Sequence, residues 1–134
     1  MLIREIALYI DSQNIGTFDE TGTSGNIFIS TIPPLPDECI CIFPTGGPTG
    51  DAKLNYDNPN IQIWIRGTQH PLTGLEKANQ VYKALQGFNG QAFASGGHYI
   101  VDCLGIQSYP IHIGKDDNER HEYSLNFSLE IKNN

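Results

Sequence analysis

Residues 46–53, GGPTGDAK, contain the glycines and the lysine that a phosphate-binding loop requires. Such a loop follows the pattern Gly-x-x-x-x-Gly-Lys-Ser/Thr between a strand and a helix, so that its backbone amides surround the phosphates. Here Lys53 comes three residues after Gly50, Leu54 stands in place of the hydroxyl residue, and a strand pattern follows. We therefore predict a hairpin loop at this position.

Ser95, His98 and Asp102 supply the three residue types of a serine hydrolase triad within one short segment. The nucleophile of many such enzymes sits on a strained Gly-x-Ser-x-Gly turn after a strand, and the sequence FASGGH lacks the first glycine. His98 and Asp102 could share one face of a strand, but this combination of residues arises often by chance. The segment therefore does not predict a catalytic site.

Cysteine, histidine and acidic residues form two incomplete metal-binding patterns. Cys39 and Cys41 have no second cysteine or histidine pair at zinc spacing. The acidic residues 116–119 resemble part of a calcium loop, but His121 stands where that loop needs glycine and Arg120 occupies a ligand position. We predict a solvated β-turn there, and neither a metal nor another cofactor.

The chain of 134 residues has a net charge of −7, with 15 acidic residues against 8 lysines and arginines. Because the basic residues form no cluster and an acidic chain repels phosphate, we expect no tight nucleic-acid binding. No apolar run approaches the roughly 18 residues that span a bilayer, and Arg4 and Glu5 argue against a secretory signal. The odd number of cysteines, three, indicates buried thiols in a reducing compartment.

Two segments have the apolar periodicity of an amphipathic helix. Residues 2–14 repeat apolar side chains at steps of three and four, Glu5 falls off this stripe, and Gly16 follows as a helix stop. Residues 73–87 begin with Thr73-x-x-Glu76, which predicts a capping box at the start of the second helix.

Strand patterns occupy most of the remaining chain, at residues 26–32, 39–43, 60–67, 99–106, 111–113 and 123–132. The last strand alternates throughout, so a slip of one residue would exchange its two faces. Its polar side chains are Ser124, Asn126, Ser128, Glu130 and Lys132. Because most connections suit hairpins, we predict one α+β domain over residues 1–134, with two helices packed on one face of a mostly antiparallel sheet.

Trp64 and Arg66 are candidates for contact with a partner protein. They lie on the face of the 60–67 strand opposite its isoleucines, and both residue types are over-represented at interface hot spots. A tryptophan packed under a loop and an arginine in a local ion pair is an equally good interpretation.

The segment 45–58 is a second candidate, since it is longer than a usual hairpin connection and such loops tend to be functional or disordered. Its polar residues Thr49, Asp51 and Lys53 are the ones we expect at an interface.

Three segments together resemble a known family: the N-terminal helix followed by GTFDETGTSGNIFI, the segment IQIWIRG…GLEKANQVYKALQG, and the ending IGKDDNERHEYSLNFSLEI. In this order and spacing they resemble the minor capsid protein family of tailed phages, found in Gram-positive siphophages and prophages. Members of that family are similar to tail terminator proteins. The resemblance covers nearly the whole chain, and the family has no catalytic motif to transfer.

The resemblance implies a structural virion protein of the tail or neck, assembled in the host bacterial cytoplasm, and not an enzyme. Tail terminators look like α+β subunits that form a ring, commonly a hexamer, on the finished tail tube. Such a ring stops polymerisation of the tail tube protein and joins the head through a head-completion or connector protein. DNA passes through its lumen without specific binding, and no membrane takes part.

Under this resemblance, we hypothesise that part of the polar face of the last strand or the segment 45–58 borders the lumen or the tube. Two other functions stay open. A head-completion or neck protein would bind the portal side instead. A small-ligand binding module or enzyme would place its site between the second helix and residues 94–98.

Overall fold

The computed structural model describes residues 1–133, in which two helices cover one face of a seven-stranded sheet. The helices are α1 (Leu2–Ser12) and α2 (Pro71–Leu85). The strands are β1 (Ile27–Ile29), β2 (Cys39–Pro44), β3 (Tyr56–Asp57), β4 (Asn60–Arg66), β5 (Tyr99–Gly105), β6 (Ile111–Lys115) and β7 (His121–Lys132). The predicted α+β class is confirmed.

The twelve-residue strand β7 is the centre of the sheet. One of its edges pairs with β4 and then β3, and the other pairs with β6 and then β5. β4 continues to β2, and β1 joins β2 in a parallel pair, whereas the other pairs of named strands are antiparallel. As a result β1 lies at one end of the sheet, and β5 and β6 lie at the other.

Alternation along the central strands puts their branched apolar residues on a single face. Ile63 of β4 lies between Ile42 of β2 and Leu125 of β7, and all three are fully buried. Both helices pack on this face and contribute buried residues to the same core; these are Ile3, Ile6, Ala7, Ile10, Ala78, Val81 and Leu85. The face away from the helices is therefore the one left for polar groups and partners.

Helix α1 and strand β1 end earlier than their sequence patterns predict. Helix α1 stops at Ser12 instead of residue 14, because Asn14 takes a left-handed conformation with φ of 60°. The predicted strand 26–32 is ordered as β1 only over three residues, and Ser30 turns the chain with φ of 56°. Residues with short polar side chains reach this backbone region at low cost, so they end regular structure.

The predicted capping box of α2 is wrong. The helix begins at Pro71, two residues before Thr73, and the ring nitrogen Nδ1 of His70 accepts the amide proton of Leu72 at 3.2 Å. Proline suits the first helical position because its missing N–H has no helical partner to lose. The pair Pro71 and His70 thus starts the helix.

Glu5 is buried, with 4 % of its surface exposed, although the sequence places it off the apolar stripe of α1. Its carboxylate contacts the Met1 amine at 2.8 Å and accepts the backbone N–H of His98 at 2.7 Å, with the His98 ring at 3.0 Å. Burial raises the pKa of Glu5, but these hydrogen bonds together outweigh it, so the pKa lies below its ordinary value. The carboxylate therefore fastens the segment before β5 to α1.

Glu5→Gln is expected to lower the free energy of unfolding by about 1.5–3 kcal/mol at neutral pH, because a charged acceptor is lost from a buried site. Since the folded-state pKa is depressed, this stabilisation is present above the ordinary value of 4.5 and is lost as pH falls through the folded-state pKa. Urea unfolding between pH 7 and pH 2 should show a smaller loss of stability on acidification for the variant than for wild type. Glu76→Gln, at an exposed position of α2, is the control and should follow wild type.

Candidate functional site

The sheet face away from the helices brings together several of the predicted interface residues. Trp64 of β4 is the direct cross-strand neighbour of Ser124 on β7. The indole N–H of Trp64 donates to Glu122 at 2.8 Å, and the Gln62 amide donates to the Ser124 hydroxyl at 3.0 Å. Trp64 is half-buried, so its ring edge is held in place by the chain while part of it stays accessible.

Further along β7 the polar face opens to solvent. Asn126 contacts the Ser124 hydroxyl at 3.3 Å and is half-buried, whereas Ser128 and Glu130 are exposed. Glu130 stands directly opposite Asp102 of β5, so two carboxylates share this part of the face. The face at the C-terminal half of β7 therefore carries charged side chains, namely these two carboxylates and, at the end of the strand, the basic Lys132.

Arg66 is buried, at 3 % exposure, and its contacts lie within the chain. Its guanidinium donates to the backbone carbonyls of Asp37 at 2.9 Å and Pro36 at 2.8 Å. These carbonyls belong to the proline-rich segment, residues 30–38, which connects β1 to β2. Arg66 therefore holds that segment against the sheet.

Arg120 holds the same segment from the start of β7. It donates to the Pro34 carbonyl at 2.7 Å and pairs with Asp37 at 3.0 Å and Asp116 at 2.8 Å. Burial raises the pKa of Asp116, but hydrogen bonds from Arg120 and Asn118 outweigh it and hold the pKa below its usual range. The acidic turn thus directs its first carboxylate inward, to Arg120 and the turn's own amides.

Two thiols lie on the same sheet face as Arg66 and Trp64. Cys39 lies opposite Arg66 on the paired strand, and Cys41 lies opposite Trp64. All three cysteines are free and buried. The Cys41 thiol donates to Cys39 at 3.7 Å, which lowers the pKa of Cys39 and raises that of Cys41. Burial raises the pKa of Cys103, on the opposite face, to about 12.

Thr49, Asp51 and Lys53 are exposed and lie far from Trp64. Asp51 accepts the backbone amides of Lys53 and Leu54 at 3.0 Å, which closes the turn leading into β3. Strand β3 was not expected from the sequence, and it pairs with residues 131–132 at the C-terminal end of β7. Seven residues of strand separate this point from Ser124, about 23 Å at 3.3 Å per residue. Trp64 and the turn before β3 therefore lie near opposite ends of β7, and the predicted interface residues do not form a single cluster.

Two of the residues considered for a catalytic triad are engaged in structural contacts. His98 contacts Glu5, and Asp102 accepts the amide of Cys103 at 2.9 Å. Among residues 1–133, no group of three or more His, Cys, Asp or Glu residues could hold a metal ion. In the same part of the chain, neither helix is long and apolar enough to cross a membrane.

A surface of exposed apolar residues lies at the β5–β6 end of the sheet, and sequence reasoning missed it. We call it the apolar edge surface; its members are Leu104, Ile106, Tyr109, Ile111 and Ile113, which are between 44 and 64 % exposed. Ile111 stands opposite Ser124 and Leu104 opposite Ser128, so the surface adjoins the polar face of β7. Contiguous exposed apolar side chains of this kind mark contact with another molecule.

A shallow apolar groove of about 330 Å³ continues this surface toward the start of α2. It is lined by Pro71, Leu72, Leu75, Tyr109, Pro110, His112, His121 and Tyr123. A larger cleft of about 630 Å³ lies between the proline-rich segment and the β4–α2 connection, with Arg120 in its wall. Both are open depressions on the surface, and both lie away from the site next to residues 94–98 that a ligand-binding function would use.

A family model described as bacteriophage tail terminator protein matches residues 9–133. The comparison with curated proteins finds no match.

Proposed function

We propose, from the premise that this chain belongs to the bacteriophage tail terminator family, that it is a ring subunit which caps the tail tube and joins it to the head. The single observation that carries this proposal is the family match, which spans nearly the whole chain from residue 9 to residue 133. On this proposal the chain acts by assembly and catalyses no reaction. It is a component of the virion tail or neck and assembles in the host cytoplasm.

The surface chemistry supports an assembly role. A subunit that functions by assembly needs apolar residues that are exposed in the free chain. It also needs polar side chains whose positions are fixed by hydrogen bonds. The apolar edge surface supplies the first, and the hydrogen-bonded pairs Trp64–Glu122 and Gln62–Ser124 supply the second. Partners on this proposal are further copies of the chain, commonly six in the ring, the tail tube protein and a head-completion or connector protein.

The exposed half of β7 suits a surface that DNA passes. Glu130 and Asp102 stand side by side, and the chain has a net charge of −7. Carboxylates repel phosphate and therefore do not hold DNA. We propose that this acidic surface, or the turn with Thr49, Asp51 and Lys53 near the same end of β7, borders the lumen or the tube.

Polymerisation of purified tail tube protein tests the proposal. Tubes grown in the presence of the chain are expected to be short, with a mean length that falls as the molar ratio of chain to tube protein rises, because a capped end no longer adds subunits. Tube lengths are measured in electron micrographs. The control is the same chain heat-denatured before addition.

Tubes of unchanged length at every molar ratio would contradict the terminator role. If the chain then binds a purified portal complex instead, the head-completion alternative gains support.

A further inference from the structure

We propose that the apolar edge surface docks on the β1 end of a second copy of this chain, so that the copies associate head to tail. The inference rests on the proposed ring-forming function and deepens it, because it assigns the two surfaces through which neighbouring subunits touch. It is carried by one open strand edge, two uncharged apolar stretches and one cleft.

The outer edge of β6 is open. Its inner edge pairs with β7, and within residues 1–133 no strand pairs with the other side. An apolar edge strand with unpaired backbone groups tends to add to the strand of another molecule. Pro110 precedes β6 and Lys115 ends it, but between them the edge presents Ile111 and Ile113, each more than 40 % exposed.

The segment from the end of β5 through residue 114 of β6 carries no fixed charge. Residues 103–114 contain no Asp, Glu, Lys or Arg, although the chain as a whole has a net charge of −7. The centres of protein interfaces are depleted of charged residues in the same way. Lys115, the last residue of β6, pairs with Glu119. Two copies of an acidic chain repel each other, so a surface without carboxylates on one copy favours their association.

The opposite end of the sheet offers a second surface of this type. Residues 21–36 contain no charged residue. A cleft of about 190 Å³ follows β1, with Thr31 at its margin. Its walls are the apolar residues Phe18, Ile27, Phe28 and Ile29 together with the acidic residues Asp19 and Glu20. This volume is large enough for one apolar side chain from another subunit.

Both acidic residues of the cleft wall are bonded within the chain. Glu20 pairs with Arg4, and Asp19 accepts hydrogen bonds from Thr21 and Ser24. These hydrogen bonds hold the pKa of Asp19 well below its usual range, so its carboxylate stays ionised. An uncharged side chain that enters the cleft therefore meets one ion pair and one hydrogen-bonded carboxylate.

The positions of the two surfaces favour a ring over a symmetric dimer. β1 and β6 lie at opposite ends of one sheet, so each subunit has the apolar edge surface on one side and the cleft next to β1 on the other. A contact between two different patches repeats from copy to copy and closes when the rotation allows it. A second copy of this chain is therefore the partner that we propose for the cleft next to β1.

Two variants test the two halves of the contact. Ile113→Asp puts a carboxylate on the apolar edge surface, and Thr31→Trp fills the margin of the cleft; both positions are exposed, so the fold should survive, which circular dichroism checks. Each variant is expected to raise the concentration for half-assembly by about 30-fold or more, the effect of losing one interface hot spot. Sedimentation equilibrium measures assembly of the free chain, and chemical cross-linking measures it on tail tubes. Leu54→Asp, in the turn before β3, is the matched control and should assemble like wild type.

A mixture of the two variants gives the sharpest result. Each keeps the half that the other has lost, so an equimolar mixture should form dimers containing one copy of each and no larger ring. Normal assembly of either variant alone, a mixture that stays monomeric, or wild type that stays monomeric both alone and on tubes would each overturn the inference. Capping of tubes by wild type is scored separately: if Ile113→Asp caps as well as wild type, the inference fails while the proposed function stands. Wild type that self-associates through these surfaces and leaves tubes uncapped contradicts the proposed function alone.

Discussion

Phe127→Ala is expected to lower the free energy of unfolding by about 3–5 kcal/mol, the usual cost of removing a buried aromatic ring from a core. Phe127 is fully buried in the middle of β7, between Ile61 of β4 and Gly105 of β5. Its ring centroid is 6.1 Å from that of Tyr82 on α2. The truncation removes contacts with both the sheet and helix α2. Because β7 is paired on both edges, the surrounding residues cannot easily move to fill the cavity.

Ser128→Ala is the matched control for Phe127→Ala, because the two residues are neighbours on β7 with opposite burial. Ser128 is exposed, so the control should change stability by less than about 0.5 kcal/mol. Urea denaturation followed by tryptophan fluorescence of Trp64 measures both variants. Equal effects at the two positions would contradict the register of β7 described here.

Arg66→Met should both destabilise the chain and expose the thiol of Cys39. The substitution removes the donor from two backbone carbonyls of the proline-rich segment, those of Pro36 and Asp37. A loss of about 1.5–3 kcal/mol is expected, since two hydrogen bonds from a buried charged group are lost. The segment is bonded to Arg66, the cross-strand neighbour of Cys39. Release of the segment should therefore raise the rate at which a thiol reagent modifies Cys39, by about tenfold for each 1.4 kcal/mol of easier opening.

Two controls separate local release of the segment from general unfolding. Cys103 lies in the core on the opposite face and should keep its slow modification if only the segment opens. Arg4→Met removes an arginine that is half exposed and pairs with Glu20, and such surface ion pairs contribute about 0–1 kcal/mol. Unchanged protection of Cys39 in Arg66→Met would show that the segment is held by other contacts.

Strands β4 and β7 were predictable because apolar and polar residues alternate along them. This pattern indicates both the strand conformation and which side chains face the core. Ile61, Ile63 and Ile65 are buried as the pattern indicates, and so are Leu125 and Phe127. The residue types alone therefore indicate which positions of these strands are buried. The α+β class follows from the same local patterns.

Features that depend on contacts between distant residues were not predictable. Glu5 is buried because its partners come from the chain start and from residue 98. β3 consists of two residues whose strand conformation exists only through pairing with the end of β7. Neither feature has a periodic signal of its own.

The apolar edge surface was likewise not predictable from the sequence. Leu104, Ile106, Ile111 and Ile113 follow ordinary strand alternation, and the sequence pattern alone does not reveal that they stay exposed. Exposure is decided by the topology, which places β5 and β6 at an end of the sheet with no further strand beyond β6 in residues 1–133. A local signal was nevertheless present, since residues 103–114 lack fixed charge.

The position of the chain on tail tubes tests the central claim most directly. Tubes assembled with a gold-labelled chain and imaged by electron microscopy should carry label at one end only, with several copies at that end and none along the side. Label spread along the tube length, or tubes without label beside free chain, would contradict a terminator that works by capping.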